Sequence, residues 1–160
     1  MEQPSTAVEA GKDRGGTPAP SSAVAQARPR PAMSRDSAFF WEGAALGELR
    51  VQRCRSCGKL RHPPGPSCPG CRSLDWDYLV TAGRGRVYSY VVHHHPPLPA
   101  FEVPFVVAVV ELEEGVRVVG DLLGVDRTKV EIGMPVVVRF QQVDEDLVLP
   151  QWVEAEEGSP

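Results

Sequence analysis

Cys54-Arg-Ser-Cys57 and Cys68-Pro-Gly-Cys71 limit how this chain can fold more than any other feature. They contain all four cysteines of the 160-residue sequence, as two C-x2-C pairs separated by ten residues. A C-x2-C turn aims two sulfurs at one point while backbone N–H groups behind them hydrogen-bond the thiolates. Gly58 follows the first pair and tolerates the positive φ such a knuckle requires. Two knuckles supply four thiolates in a tetrahedron, which suits Zn²⁺ with Zn–S near ~2.3 Å. The spacing predicts one structural zinc per chain, held by Cys54, Cys57, Cys68 and Cys71. Iron fits the same cage. Two disulfides would call for a secretory route, and a thioredoxin-like redox pair needs one C-x2-C on a strand-to-helix turn, not two in tandem. Four sulfurs leave no open coordination position, so the site is structural and carries no catalysis.

The rest of the composition points to a mainly β chain. Its 15 Gly and 16 Pro are about a fifth of the residues, against a usual ~12%, which argues against a helical bundle. The longest apolar runs, such as Phe105 to Val110, are strand-sized and far short of the roughly 18 residues of a membrane span. No apolar signal-peptide core follows Met1, so a cytoplasmic protein is expected. Met1 to Ser37 contains no Leu, Ile, Phe, Trp or Tyr and is interspersed with proline. Such a stretch cannot bury enough apolar surface to offset its ordering entropy. Residues 1–36 are expected to be a disordered tail or an interdomain linker, and 155–160 a second disordered tail. The linker reading implies that the chain is the end of a longer, multidomain polypeptide. Arg outnumbers Lys 14 to 3, in keeping with a GC-rich bacterial genome.

Charge is uneven along the chain. Residues 48–86 carry Glu48, Asp75 and Asp77 against eight basic residues, whereas residues 87–160 carry thirteen acids against Arg117, Arg127, Lys129 and Arg139. A basic module thus adjoins an acidic one. Ordinary surface charge and contact with an anionic ligand or partner both account for it.

Three further segments have readable patterns. Residues 37–82 are expected to hold a short helix and the zinc ribbon. Phe39, Phe40, Trp41, Ala44 and Ala45 fall within three helical turns, with Ser34 or Asp36 able to cap the start and Gly47 to stop it. So short a helix cannot hide its aromatics alone; it packs on its own barrel or on a partner. His62 could join the metal, but four cysteines suffice. His93, His94 and His95 precede Pro96-Pro-Leu-Pro99 and read as a solvated loop.

Residues 83–154 are expected to form a five-stranded barrel of the OB type. Val87, Ser89 and Val91 alternate with Tyr88, Tyr90 and Val92 over Arg86 to Val92. Phe105 to Leu112 is valine-rich enough to be buried on both sides. Glu113-Glu-Gly115 turns the chain into Val116 to Leu122. Gly133-Met-Pro introduces Val136 to Gln141, with Arg139 and Gln141 facing water, and Asp144-Glu-Asp146 leads into Leu147 to Val153. Closure into a barrel removes the edges that a flat valine-rich sheet would expose.

The order Phe39-Phe-Trp-Glu, Gln52-Arg-Cys54-Arg-Ser-Cys57-Gly58, Pro63-Pro64, Cys68-Pro-Gly-Cys71, Gly83-Arg-Gly85-Arg-Val87-Tyr-Ser, Pro104 to Arg117 and Gly133-Met-Pro-Val resembles the acyl-CoA-associated family that joins a rubredoxin-like zinc ribbon to an OB-fold. The resemblance covers about Phe39 to Trp152. Gly65 stands where the family often has arginine after the Pro-Pro pair, so no basic contact to a ligand phosphate is expected there. The His93–His95 run is also foreign to the pattern.

The resemblance implies a non-catalytic accessory subunit of a thiolase-fold, acyl-CoA-processing enzyme. Similar domains sit behind hot-dog-fold enoyl-CoA hydratase chains of actinobacterial steroid side-chain breakdown. There they pair with a sterol-carrier-protein-type thiolase homologue acting as a retro-aldolase on a 17-hydroxy steroid acyl-CoA. The linker-like start and the arginine-rich composition favour this setting. Other thiolase or hydroxymethylglutaryl-CoA synthase-like partners are the alternative. The chain alone is not expected to be an enzyme. A heterotetramer with two copies of each chain is expected, because thiolase folds dimerise about a two-fold axis. Phe39, Phe40 and Trp41, with Arg53, Arg55 and Arg61 nearby, are the expected partner contacts, and the basic ribbon is positioned to meet CoA phosphates. No membrane contact is expected. A single-stranded nucleic-acid binder using Tyr88, Tyr90 and Phe105 is a further alternative, weakened by the acidic barrel segment. An iron-bearing electron carrier is the last.

Overall fold

The structure, a computed structural model, describes residues 28–97 and 100–156. A helix α1 (Ala38–Ala45) precedes a small ribbon of β1 (Arg50–Cys54), β2 (Leu60–Arg61) and β3 (Trp76–Val80). Five longer strands follow: β4 (Arg84–His93), β5 (Phe105–Leu112), β6 (Arg117–Leu123), β7 (Pro135–Asp144) and β8 (Leu147–Glu154). The ribbon strands pair antiparallel in the order β2-β1-β3, and the others close into a barrel, β4-β5-β6-β8-β7. The one parallel contact, Leu122 and Leu123 against Trp152 and Val153, closes it. Among the described residues, no helix is long and apolar enough to cross a membrane.

The barrel interior follows the period-two logic of the sequence. Val106, Ala108, Val110 and Leu112 of β5 point inward, as do Val118 and Leu122 of β6 and Val136 of β7. Trp152 is the largest side chain sealed among them, at 1% exposure. Two expectations are corrected. First, β5 is buried on one face only: Phe105, Val107 and Val109 are half-buried. Second, Val87 and Val91 do not share a face. A bulge between Val87 and Ser89 breaks the alternation, so Val87 is sealed while Val91 is 61% exposed. Tyr88, at the bulge, is covered by the Arg117 guanidinium 3.4 Å from its ring centroid. Arg139 and Gln141 face water as expected.

The helix start also differs. The N-cap is Ser37, not Ser34 or Asp36, and its side chain makes no forward capping bond. A turn precedes the helix instead: Ser34 O accepts from the N–H groups of Ser37 and Ala38, and Ser34 N–H donates to Ser37 Oγ at 2.9 Å. Gly47, with φ 75°, ends the helix as expected.

Ribbon and barrel share one core. Phe39, Phe40, Leu49 and Val51 belong to the same packed cluster as Val87, Val110 and Trp152. Gly43 leaves room for Arg50, whose Cδ would lie 2.6 Å from an added Cβ. Arg50 is buried, ion-paired to Glu48 at 2.6 Å, and lies 4.6 Å from the Tyr78 ring centroid. Its neighbours thus come from α1, from the stretch after it and from β3. The tail expected over 1–36 falls mostly outside the described residues. Residues 28–36 are described, and there Arg28 and Arg30 are paired to barrel residues Asp121 at 2.8 Å and Asp144 at 2.9 Å. Residues 157–160 of the expected C-terminal tail are also outside them.

At Gly85, β4 and β5 leave no room for a side chain. A Cβ there would sit 2.4 Å from the Glu111 carbonyl oxygen. Gly85→Ala should force the two strands apart and cost about 2 kcal/mol or more. Chemical unfolding monitored on the barrel would check this; an unchanged midpoint would contradict the close approach.

Candidate metal centre and the cleft beside it

The four cysteine sulfurs converge. All lie within 4.8 Å of one another, with Cys54 and Cys71 at 3.5 Å and Cys57 and Cys68 at 3.6 Å. A tetrahedron with ~2.3 Å arms has edges of about 3.8 Å, so the donor set fits zinc. All four cysteines are free of disulfides.

The two knuckles are built alike. Cys54 N–H donates to Lys59 O and Gly58 N–H to Cys54 O; Cys68 N–H donates to Ser73 O and Arg72 N–H to Cys68 O. Gly58 and Arg72 therefore occupy equivalent positions, and both have positive φ, 73° and 63°. The sequence signals this only at Gly58; an arginine in that conformation carries no compositional flag. Arg55 N–H to Asp75 O and Ser56 Oγ to Ser73 Oγ, at 2.8 Å, tie the knuckles together.

The thiols are tuned by their surroundings. Backbone N–H groups of Cys71 and Gly70 pull Cys68 down to about 6. For Cys54, burial acts upward, but hydrogen bonds from the Cys57 N–H, Cys71 and the Ser56 N–H together outweigh it, and the net is down. Cys71 goes up to about 12: the Ser73 N–H favours its thiolate, but its neighbours Cys54 and Cys57 hold the proton on it. Crowded sulfurs that cannot all ionise together are the arrangement a divalent cation resolves. The chain carries one structural zinc site, Cys54, Cys57, Cys68 and Cys71.

The expected partner contacts separate. Phe39 and Phe40 are 7% and 6% exposed and fill the chain's own core. Phe39 packs on Trp76 and Tyr78, with centroids 5.1 and 5.7 Å away; Phe40 packs on Trp41 and His62, at 5.0 and 4.9 Å. Trp41 is half-buried. Arg53 is held in a two-bond pair by Asp77, at 2.8 and 2.7 Å, and the Arg55 guanidinium lies 3.9 Å from the Asp75 carboxylate. Arg61 turns inward, donating to Gln52 Oε1 at 2.7 Å and to the carbonyls of Gly65 and Ser67. The histidine run divides: His93 ends β4, with Nε2 2.8 Å from Pro96 O, while His94 and His95 are exposed. Leu98 and Pro99 lie outside the described residues.

Gln52 was not singled out in the sequence. It is sealed in β1, and its carboxamide accepts from Gly65 N–H at 2.9 Å and donates to Gly65 O at 3.0 Å. It pins the loop after β2 that carries His62, Pro63 and Pro64. That loop, α1 and the barrel enclose a cleft of about 450 Å³, with Phe40, Trp41, Phe101 and Leu149 on its walls. Burial holds His62 down at about 4, so its imidazole is neutral near pH 7.

The sequence matches the family described as "ChsH2, rubredoxin-like zinc ribbon domain" over residues 41–77, and "ChsH2, C-terminal OB-fold domain" over residues 80–141. A solved structure, "Ltp2-ChsH2(DUF35) aldolase", contains a chain 55% identical to this one, with a TM-score of 0.74, covering 78% of this chain and 98% of that one. The chain belongs to the ChsH2 family of zinc ribbon–OB-fold (DUF35) proteins. It is 58% identical over 123 residues to the "Probable enoyl-CoA hydratase alpha subunit" of Thermomonospora curvata, covering 77% of this chain and 39% of that protein. It is 51% identical over 123 residues to the "3-oxo-4,17-pregnadiene-20-carboxyl-CoA hydratase alpha subunit" of Mycobacterium tuberculosis, covering 77% of this chain and 37% of that protein. The chain thus spans well under half the length of these two relatives.

Two outcomes follow for this centre. Purified protein should contain one zinc per chain, and Cys68→Ala should lose the metal and leave the ribbon unfolded; metal-free protein with a folded ribbon would contradict the site. His62 gives a pH dependence. Unfolded, it titrates near ~6.5; folded, at about 4. Between these values the unfolded state binds the extra proton, so stability present above pH ~6.5 is lost as pH falls toward 4. The loss between pH 7 and 5 should be about 2 kcal/mol more than in His62→Phe at equal zinc loading. Parallel pH profiles of the two proteins would contradict it.

Proposed function

We propose that this chain is the non-catalytic subunit of a thiolase-fold, acyl-CoA-processing enzyme, a retro-aldolase that cleaves a C–C bond of a 17-hydroxy steroid side-chain acyl-CoA. The observation that carries the reading is the match to the aldolase structure, in which a chain of similar extent, 98% covered, is a component in its own right. The hydratase alpha subunits carry the same unit within a longer chain, which supports a setting beside or fused to a hot-dog-fold hydratase. The steroid acyl-CoA in the name of the mycobacterial relative supports the substrate class. An acyl-CoA substrate also favours a cytoplasmic setting.

The described residues support a subunit without its own chemistry. The four cysteines face one another, His62 is walled in by Phe40, and His93 is held by Pro96 O and lies against Phe105 with ring centroids 4.9 Å apart. The general base for retro-aldol cleavage would then come from a thiolase-like partner of the sterol-carrier-protein type, in a heterotetramer with two copies of each chain. The half-buried Trp41 is the aromatic left for the partner, and Arg55, Lys59 and Arg72 on the exposed ribbon are positioned to meet CoA phosphates.

Two measurements test the reading. Affinity purification of the tagged chain, co-expressed with the products of neighbouring genes, should recover a thiolase homologue, and cleavage of a 17-hydroxy steroid acyl-CoA should require both chains. Turnover by the isolated chain at the rate of the complex would overturn it. Trp41→Ala, checked for zinc content and thermal melting, should weaken the complex by roughly thirtyfold, the effect of losing about 2 kcal/mol at an interface centre. Unchanged affinity in a folded variant would exclude α1 as the docking element.

A further inference from the structure

The ribbon ends in an open edge. The order β2-β1-β3 leaves β3 outermost, and among the described residues it pairs with β1 alone. The ladder fixes which backbone groups that pairing uses. Thr81 N–H donates to Leu49 O and Arg55 N–H to Asp75 O, one at each end of the pair. Hydrogen-bonded positions alternate along antiparallel strands. Asp77 and Leu79 therefore bond to β1, whereas the N–H and C=O groups of Trp76, Tyr78 and Val80 point away from it.

The side chains of these outward-bonding residues also form an apolar row. Tyr78 is 41% and Val80 47% exposed, and Trp76 is half-buried. Proteins usually blunt such an edge with lysine, proline, a bulge or an unmatched charge. β3 carries no lysine or proline, its register against β1 runs without a shift, and Asp77 is taken up by Arg53 at 2.7 Å. An edge of free backbone groups takes one kind of occupant, another extended strand.

The residues themselves select the strand. Turned about a two-fold axis at Tyr78, β3 is its own complement. Tyr78 then faces Tyr78 of the second copy, and Trp76 faces Val80 of the second copy in both directions, each pair exchanging both N–H···O bonds. Aromatic–aromatic and aromatic–β-branched pairs are favourable cross-strand contacts. On the opposite face of the strand Asp77 meets Leu79, so no like charges are opposed. With Asp77 matched to Arg53, and Asp75 3.9 Å from Arg55, the edge selects neither an acidic nor a basic foreign strand.

We propose that two copies of this chain pair through β3, antiparallel about a two-fold axis, and so join their ribbons into one continuous sheet. The contact is isologous and closes at two copies. A five-residue strand on each side buries less than the ~1,200 Å² of a standard interface. The pair is therefore weak, with Kd between about 10 µM and 1 mM. It concerns this chain alone and does not rest on the subunit role proposed above.

The test uses the full zinc-loaded chain, ¹⁵N-labelled. Sedimentation equilibrium up to about 1 mM should show a reversible monomer–dimer equilibrium, and amide exchange at Trp76, Tyr78 and Val80 should slow as concentration rises. Tyr78→Glu sets like charges opposite each other on the axis, and Val80→Pro removes an N–H that β1 does not use; each should weaken the dimer by at least about tenfold. Val91→Lys, at a barrel valine 61% exposed, should leave the dimer unchanged. A chain that stays monomeric throughout the range overturns the proposal and leaves the edge to a strand of another protein. A dimer that persists in both folded β3 variants, or that Val91→Lys dissolves, overturns it as well. Should neither β3 variant fold, as judged by zinc content, the concentration dependence of the Tyr78 and Val80 amides in the unaltered chain decides the matter.

Discussion

Four thiolates can share one point only when a cation holds them there. That constraint organises the first half of the fold. β2 is two residues long and β1 and β3 five each, far too little sheet to close a core. The metal joins Cys54, at the end of β1, to Cys57, Cys68 and Cys71, and so fixes where the loop after β2 begins and ends. Gln52 and Arg61 then hold the interior of that loop through Gly65. One wall of the cleft therefore depends on the metal, although no metal ligand lines it.

The barrel supplies the other wall and the larger core. Its strands close because β6 and β8 meet in parallel, and Trp152 fills the interior at that seam. Gly120 lies against it: an added Cβ there would stand 2.9 Å from Trp152 Nε1. Phe39 and Phe40 join this core from the helix. The shared core explains why aromatics that read as partner anchors are largely used internally. Of the three helix aromatics, Trp41 alone is half-buried rather than buried.

The sequence made the regular parts legible. Thiolate spacing announces the metal, and the valine alternation announces β5 to β8 within a residue or two at most ends. What stayed hidden depends on contacts distant in sequence. Nothing near Gln52 signals that its carboxamide will meet Gly65, thirteen residues away. Arg72 takes a glycine-like φ because the second knuckle imposes it. Val91 turns outward because of a one-residue bulge that alternation alone does not mark. Gln151 reads only as part of the last strand, yet its amide meets Asp121, from a different strand.

The central claim is that the metal holds the ribbon and helix in place on a barrel that closes by its own strands. Hydrogen–deuterium exchange before and after removal of zinc by a chelator tests it most directly. The account predicts that protection is lost in α1 and β1 to β3 and kept in β4 to β8. Unchanged protection of the ribbon after zinc removal, or collapse of the barrel together with it, would contradict the account.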